Sequence, residues 1–293
     1  MTVEVVTTRQ ALRDALGTMR PGLVPTMGAL HAGHLSLVAR SASENPLTVV
    51  SVFVNPTQFT NRGDLDRYPR DLQRDTAAAA EAGADIIFAP KVAAMYPPGF
   101  DTTVEVGDLA TRWEGKSRPG HFCGVATVVT VLINLAHPAR VYFGEKDYQQ
   151  LLVVRRLHRD LALPGEIVGC PTIRDGDGLA VSSRNAQLSN EDRARAVGIP
   201  RSIARVQAAA SAGETNAENL MRIALAELDA PGIAVDYVAL VDGLSLEPLS
   251  ELQSGARILV AADVGGTRLI DNDAVDPPGA ATGWRGSGHG HRR

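Results

Sequence analysis

The pattern of hydrophobic and polar positions changes character once along the chain, near residue 173. Before that point, short apolar runs rich in β-branched residues alternate with segments of helical periodicity. The clearest run, 47–54, is almost continuously apolar, which is typical of a strand in a parallel sheet covered on both faces. The other predicted elements are helices at 71–83, 125–136 and 151–161 and strands at 85–88, 140–143 and 166–169. This alternation predicts a doubly wound α/β domain over 1–173.

After residue 173 the order of the pattern differs. Two helical stretches, 191–212 and 217–228, precede strand-like segments at 235–241, 257–262 and 267–270. Helices followed by strands predict a smaller α+β domain over 174–272. From 273 to 293 the composition turns to proline, glycine and charge, so we predict a disordered tail. His289 and His291 in this tail could bind a metal adventitiously, but solvated histidines are the simpler interpretation.

Composition narrows the class of protein. The chain has 293 residues, a formal charge of −4 and no long run of basic residues, which argues against a nucleic-acid partner. It contains no apolar stretch long enough to cross a membrane, and its N-terminus lacks a charged-then-apolar signal segment. Cys123 and Cys170 lack metal-type spacing and are expected to be reduced thiols. We therefore expect a cytoplasmic protein.

An H-x-G-H element at residues 31–34 lies between a predicted strand and a predicted helix. Gly28 and Gly33 would let the backbone pass close to a ligand and adopt conformations closed to other residues. The N-terminus of the helix would aim N–H groups at a phosphate. His31 and His34 would fall on one side of a helical turn, where imidazoles can donate to phosphate oxygens. The alternative is a glycine-containing turn with two surface histidines.

Neutral amides follow the strand at 47–54. Asn55 and Gln58 flank Pro56, which stops the strand, so their side chains would emerge at its carboxyl end. Amides in this position suit a small ligand with hydroxyl and carboxylate groups. A polar turn without a ligand is the alternative.

Charged residues follow the predicted strand at 140–143. Lys146 can act as a point charge on phosphate, and Asp147 can accept from ribose hydroxyls. Gln150 lies about one helical turn on and would face the same cleft. The alternative is a solvated helix start.

A Ser-Ser-Arg segment, 182–184, follows a glycine-bearing approach at 175–179. Its two hydroxyls and the forked donors of Arg184 would suit a triphosphate. Although Ser-Ser-Arg is also a common loop composition, its place at the predicted domain boundary favours a role in closing a cleft.

In this order, the segments resemble the pantoate–β-alanine ligase (pantothenate synthetase) family, and the resemblance extends from Leu23 to Asn272. The matching segments are 24–34, 52–59, 66–70, 121–125, 143–150 and 182–185. The H-x-G-H element alone would indicate only the wider superfamily of nucleotidylyltransferases and class I aminoacyl-tRNA synthetases.

The resemblance implies a Rossmann-like ATP- and pantoate-binding domain with a C-terminal domain that closes over the active site. It implies that ATP and (R)-pantoate form a pantoyl adenylate and pyrophosphate, and that β-alanine then displaces AMP to give pantothenate. Mg²⁺ would bridge triphosphate oxygens, since this ion prefers substrate phosphates to protein cages. A homodimer through the N-terminal domain is also implied.

Roles for individual residues follow from the same resemblance. His34 would be the proton donor that stabilises phosphate charge, with His31, Lys146 and Arg184 as the other catalytic residues. The implied ATP-binding residues are Met27, Gly28, Ala29, Leu30, His31, Ala32, Gly33, His34, Gly144, Glu145, Lys146, Asp147, Ile173, Val181, Ser182, Ser183 and Arg184. The substrate-binding residues are Gln58, Gln150 and Asn55. No protein ligand to the metal is assigned, although Asp75 is an acidic candidate.

Two positions depart from the family pattern. Val181 stands where methionine is common and Val131 where lysine is usual, so Val131 removes a positive charge near the predicted site. Two other functions stay open at this point. One is a nucleotidyltransferase that attaches AMP or CMP to a phosphorylated substrate, for which basic acceptor residues would be expected. The other is a catalytically idle nucleotide-binding protein of the same fold.

Overall fold

The structure is a computed structural model that describes residues 3–279. It divides into two compact units, the first ending at Ile173 and the second beginning at Arg174.

A six-stranded sheet forms the centre of the first unit, and every strand pair in it is parallel. The strands are β1 (Glu4–Val6), β2 (Gly22–Thr26), β3 (Thr48–Val52), β4 (Ile86–Phe88), β5 (Arg140–Gly144) and β6 (Glu166–Cys170). Their spatial order is β1-β4-β3-β2-β5-β6. The chain leaves β2 towards β3 and leaves β5 towards β6, so the strand order reverses between β2 and β5. The predicted doubly wound α/β fold is confirmed.

Helices cover the sheet. They are α1 (Arg9–Leu16), α2 (Ala32–Glu44), α3 (Arg62–Arg67), α4 (Leu72–Glu81), α5 (Val92–Met95), α6 (Glu114–Ser117), α7 (His121–Ala136) and α8 (Tyr148–Asp160). Helix α2 packs on α4, whereas α7 packs on α1 and α8. The hydrophobic pattern did not predict β1, α1, α3, α5 or α6. Each has eight residues or fewer, too short for periodicity alone to distinguish it from a loop.

Burial explains why the central strands were predictable. Val24, Val50 and Ile87 are fully buried on β2, β3 and β4 and belong to one core cluster. Strands covered on both faces read as continuous apolar runs. The core therefore holds the carboxyl ends of these strands in fixed positions beside one another.

The second unit has a three-stranded antiparallel sheet, in the order β7-β8-β9, with helices packed on it. Its elements are α9 (Asn190–Ala196), α10 (Gly198–Ser211), α11 (Ala217–Leu228), β7 (Ile233–Asp242), β8 (Ala256–Val264) and β9 (Thr267–Val275). The prediction of one helix over 191–212 is wrong, because the helix is interrupted at Val197. Pro200 has no N–H to donate to the carbonyl of Ala196, which accounts for the break.

The predicted tail begins too early. Strand β9 continues to Val275, where it pairs with Ala256, so 273–275 are part of the sheet. Residues 280–293, which include His289 and His291, lie outside the described residues.

No helix within residues 3–279 is long and apolar enough to cross a membrane. Cys123 and Cys170 are both free thiols, and Cys170 is buried.

Candidate active site

The candidate site lies where the strand order of the first unit reverses. Strands β3, β2 and β5 are neighbours, and the carboxyl ends of parallel strands meet at one edge of a sheet. In open α/β sheets, ligands bind in the crevice at this edge, beside the reversal. The H-x-G-H loop follows β2, the amide turn follows β3 and the Lys-Asp segment follows β5. The fold therefore brings together three of the four predicted segments.

The loop from Met27 to His31 has a strained backbone held from outside. Gly28 and Ala29 both have positive φ, 85° and 52°, and only the first is a glycine. A Cβ at Gly28 would lie 2.8 Å from the carboxylate of Asp75. The predicted conformational role thus holds for Gly28 and is wrong for Gly33, which lies in α2 without a positive φ.

Asp75, on α4, holds this loop. Its carboxylate accepts from the N–H groups of Ala29, at 2.9 Å, and Leu30, at 2.8 Å. The side chain is 2% exposed. Because both oxygens accept backbone N–H groups, Asp75 fixes the position of this loop.

His31 and His34 stack at the start of α2. Their ring centroids are 3.9 Å apart and the rings are inclined by 27°. Burial lowers the pKa of His34 to about 3, with smaller lowering effects from His31 and Lys146 and an opposing one from Asp147. Its Nδ1 is buried and has no hydrogen-bond partner among residues 3–279. His34 is therefore neutral at pH 7 and has an uncommitted ring nitrogen.

Lys146 and Asp147 end the 3-10 turn between β5 and α8. The Lys146 Nζ lies 3.5 Å from the Asp147 Oδ1, and the lysine side chain is only 16% exposed. Both charges act on the pKa of His34: Asp147 raises it and Lys146 lowers it. The site thus combines a neutral imidazole with a partly buried cation, an arrangement suited to a phosphate.

Gln58 faces the H-x-G-H loop from the neighbouring turn. Its Nε2 donates to the Sδ of Met27 at 3.0 Å, and its Oε1 accepts from Asn55 Nδ2 at 3.0 Å. Asn55 is 1% exposed, and its other N–H donates to the carbonyl of Gly124. Since protein groups occupy the whole Asn55 amide, Gln58 is the better candidate for a direct substrate contact.

Two adjacent glutamines at the start of α8 have different surroundings. Gln149 is buried, donates to the carbonyls of Leu109 and Arg112, and accepts from the N–H of Glu114. Gln150 is half-buried and makes no side-chain hydrogen bond within the described part of the chain. Gln149 therefore serves the fold, and Gln150 keeps its amide available for a ligand.

Sequence reasoning assigned no role to Arg118 and His121, although both lie beside Gln58. His121 Nδ1 donates to the Gln58 carbonyl at 2.8 Å, and its Nε2 lies 3.2 Å from an Arg118 nitrogen. Burial, followed by the Arg118 charge, lowers the pKa of His121 to about 4. The only indication in the sequence was that His121 begins the segment 121–125, which matches the family pattern. The nearby Arg118 adds a positive charge to the amide side of the site.

Val131 lies on α7 beyond the part that contacts the amide turn. Gly124, on the same helix, would clash with Thr57 and Gln58 if it carried a Cβ. Seven residues separate Val131 from Gly124, which corresponds to about 10 Å along a helix.

Ala32 begins α2, Gly144 ends β5 and Glu145 begins the 3-10 turn that follows it. Five other predicted residues lie at the end of the first unit and in the second. Ile173 is half-buried and follows β6. Ser182 caps a 3-10 turn by accepting from the Arg184 N–H at 3.3 Å, and Arg184 is exposed. Val181 and Ser183 are half-buried neighbours.

No group of three or more His, Cys, Asp or Glu side chains that could hold a metal ion occurs within residues 3–279.

Comparison with known proteins places this geometry in a family. The model of the family described as pantoate-beta-alanine ligase matches residues 2–274. A pantothenate synthetase from Rhizorhabdus wittichii is 54% identical over 87% of the chain and 90% of its own length. One from Thermus thermophilus is 52% identical over 94% of the chain and its entire length.

Solved structures agree. A crystal structure of pantothenate synthetase from Thermus thermophilus superimposes with a TM-score of 0.91 at 51% identity, covering 94% of this chain and 100% of that one. A pantoate-beta-alanine ligase from Francisella tularensis, complexed with beta-gamma ATP and beta-alanine, gives 0.77 at 35% identity and covers 92% and 97%.

Proposed function

The chain belongs to the pantoate–β-alanine ligase family, and from this premise we propose how its first unit performs the ATP-dependent ligation of pantoate and β-alanine. One observation carries the proposal: β2, β3 and β5 present two histidines, an amide donor and a lysine at one edge of the sheet. The first and last of these groups suit a phosphate, and the amide suits a hydroxy acid. The set therefore matches a reaction between ATP and pantoate.

In the first step, a carboxylate oxygen of pantoate attacks the α-phosphorus of ATP. The bond from that phosphorus to the oxygen bridging it to the β-phosphate breaks, and pyrophosphate leaves with the bonding electrons. A carboxylate is already a nucleophile at pH 7, so this step needs alignment and charge stabilisation more than a base. We propose that Gln58 and Gln150 align pantoate, and that Lys146 and His34 stabilise the phosphate charge.

The neutral state of His34 refines its role. With a pKa of about 3, the ring acts in the unliganded protein as a hydrogen-bond donor and not as an acid. A triphosphate beside it would raise this pKa, because a nearby negative charge favours the imidazolium form. The stacked His31 assists by holding the ring plane.

In the second step, the amine of β-alanine attacks the carbonyl carbon of the pantoyl adenylate. The carbon–oxygen bond to the phosphate breaks, AMP leaves, and the amine loses a proton as the amide forms. The two substrates react as one enzyme-bound pair, so positioning supplies much of the rate. Mg²⁺ on the phosphate oxygens would neutralise charge when the nucleotide is bound.

We propose, as the family resemblance implies, that Ser182, Ser183 and Arg184 of the second unit bind the phosphates of ATP, with Ile173 and Val181 near the adenine. Within that unit, Arg193 supports the preceding segment, because it pairs with Asp175 at 2.8 Å and Asp177 at 2.9 Å. These pairs limit the conformations of the chain that leads to 182–184.

A homodimer formed through the first unit and a cytoplasmic location complete the proposal, both as the family resemblance implies. Light scattering of the purified protein at micromolar concentration tests the dimer. A monomer mass across the tested range would contradict it.

The function is tested by incubating the protein with ATP, Mg²⁺, pantoate and β-alanine while following AMP, pyrophosphate and pantothenate. We expect AMP and pantothenate in equal amounts, both dependent on the two organic substrates. Omitting β-alanine should still allow one equivalent of pyrophosphate per site, from adenylate formation. AMP formation that does not require pantoate would overturn the assignment.

A further inference from the structure

The amide of Gln58 has a fixed polarity towards the candidate site. Its Oε1 accepts from Asn55 Nδ2, so its Nε2 is the atom directed at Met27 Sδ. A thioether is a weak acceptor, and an oxygen of a substrate would be a better one. The orientation of this amide therefore decides whether the site offers a donor or an acceptor.

Two backbone groups settle the orientation of Asn55. The N–H of Thr57 donates to Asn55 Oδ1 at 3.3 Å, and the carbonyl of Gly124 accepts from Asn55 Nδ2 at 3.1 Å. A backbone N–H can only donate and a carbonyl can only accept, so the oxygen and nitrogen of Asn55 cannot exchange places without losing both bonds. The second N–H of Asn55 then has to face Gln58 Oε1.

Tyr96, which follows α5, adds the shortest bond to this amide. Its hydroxyl donates to Asn55 Oδ1 at 2.8 Å. Its ring is held against Phe53 and Phe100, at centroid distances of 6.1 and 5.0 Å. Burial raises the pKa of the Tyr96 phenol, so it stays protonated and continues to donate at neutral pH.

We propose that Tyr96 is a positioning residue for substrate recognition: through Asn55 it holds Gln58 with its N–H donors directed at an oxygen of the hydroxy-acid substrate. Tyr96 does not touch the substrate in this role. Loss of its hydroxyl would remove the shortest hydrogen bond to Asn55 Oδ1, so Asn55 would hold Gln58 Oε1 less firmly and the Gln58 N–H donors would lose their fixed direction. The proposal rests on the proposed function for the identity of that substrate, pantoate.

The test is the Tyr96→Phe variant, assayed for the KM of pantoate and of ATP separately. Losing one hydrogen bond that orients the amide should raise the KM for pantoate about 5- to 10-fold, with less than a twofold change for ATP. Tyr142→Phe is the matched control. That tyrosine is buried, and its hydroxyl bonds to Glu44 and Asn45 away from the site. Its loss should lower the melting temperature without changing the KM for pantoate.

A double-mutant cycle separates positioning from general stability. In a Gln58→Ala background, Tyr96→Phe should have no further effect on the KM for pantoate, because the residue through which it acts is absent. Thr57→Val, which removes a second donor to Asn55 Oδ1 at 2.9 Å, should reproduce the change more weakly even if Tyr96→Phe folds poorly.

Three results would overturn the inference: equal effects on both KM values, the same pantoate effect in Tyr142→Phe, or an undiminished effect in the Gln58→Ala background. The proposed function fails separately, if the unmodified protein forms no pantothenate in the same assay.

Discussion

The loop after β2 and the turn after β3 lie at the same edge of one sheet but are held in opposite ways. The loop has two consecutive residues with positive φ, one of them the non-glycine Ala29, and it is held by a carboxylate. The turn around Asn55 has ordinary backbone angles and a side-chain amide whose hydrogen-bonding positions are all occupied.

These two arrangements position His34 Nδ1 and Gln58 Nε2 in different ways. In the loop, Asp75 holds the strained backbone from helix α4. His34 Nδ1 has no hydrogen-bond partner among the described residues. In the turn, all hydrogen-bonding positions of the Asn55 amide are occupied, and this fixes the direction in which Gln58 Nε2 donates. A phosphate site needs uncommitted donors, whereas a site that selects a hydroxy acid needs donors of fixed direction.

Removing the uncommitted donor should have the largest effect. We expect His34→Ala to lower kcat at least about 100-fold, since one transition-state donor is lost. The measurement is pantothenate formation at saturating substrates. His137→Asn, at an exposed position that has φ of 43° and ends α7, is the control and should retain its rate. A near-normal rate in His34→Ala would contradict the role given to this residue.

Weakening the support of the loop should have the next largest effect. Asp75→Asn replaces one acceptor oxygen by an NH₂ group facing a backbone N–H, so we expect the KM for ATP to rise about 10- to 30-fold, equivalent to roughly 1.4–2 kcal/mol. Asp71→Asn, at the N-cap of the same helix, should be nearly silent because asparagine caps equally well. An unchanged KM for ATP in Asp75→Asn would show that the loop keeps its conformation without the carboxylate of Asp75.

Crowding the amide turn should have a smaller effect. In Gly124→Ala the new Cβ would lie 2.5 Å from the Thr57 carbonyl oxygen and 2.6 Å from the Gln58 nitrogen, so the backbone of the turn must move. We expect the KM for pantoate to rise about 5- to 10-fold, which corresponds to the lower end of overpacking energies. Gly198→Ala is the matched helical control, since its Cβ would meet only ordinary contacts at 3.6 Å or more. Equal KM values for pantoate in the two variants would show that the turn can move without weakening pantoate binding.

The smallest expected effect is on the pH dependence of the melting temperature, through the protonation of His34. Above pH 6.5, His34 is neutral in both folded and unfolded chains, so it does not alter stability. As pH falls from 6.5 towards the folded pKa of about 3, the unfolded chain binds a proton that the folded one does not, and stability decreases. We therefore expect the melting temperature to fall less between pH 7.5 and 5.0 in His34→Gln than in the unmodified protein, by about 2–4 °C.

Equal losses of melting temperature in the two proteins would contradict the neutral state of His34. The same variant at pH 7.5 is the internal control, because protonation makes no difference there.

Local sequence patterns were enough to predict the α/β fold of the first unit and to identify three segments that follow neighbouring strands of its sheet. Buried parallel strands require continuous apolar runs, and a phosphate-binding turn requires glycine and donors at close spacing, so both leave local signals. Short or partly exposed elements such as β1 and α3 leave none, and the interruption of 191–212 at Val197 depended on a single proline.

The way the site is held became visible only in the folded chain. Asp75 meets Ala29 across 46 residues and Tyr96 meets Asn55 across 41, and no local periodicity relates such pairs. Spacing and the family resemblance selected Gln150, but only the folded chain shows that the neighbouring Gln149 is committed to the backbone of Leu109, Arg112 and Glu114. Hydrogen-bond saturation and burial are properties of packed neighbours, and those neighbours meet only when the chain has folded.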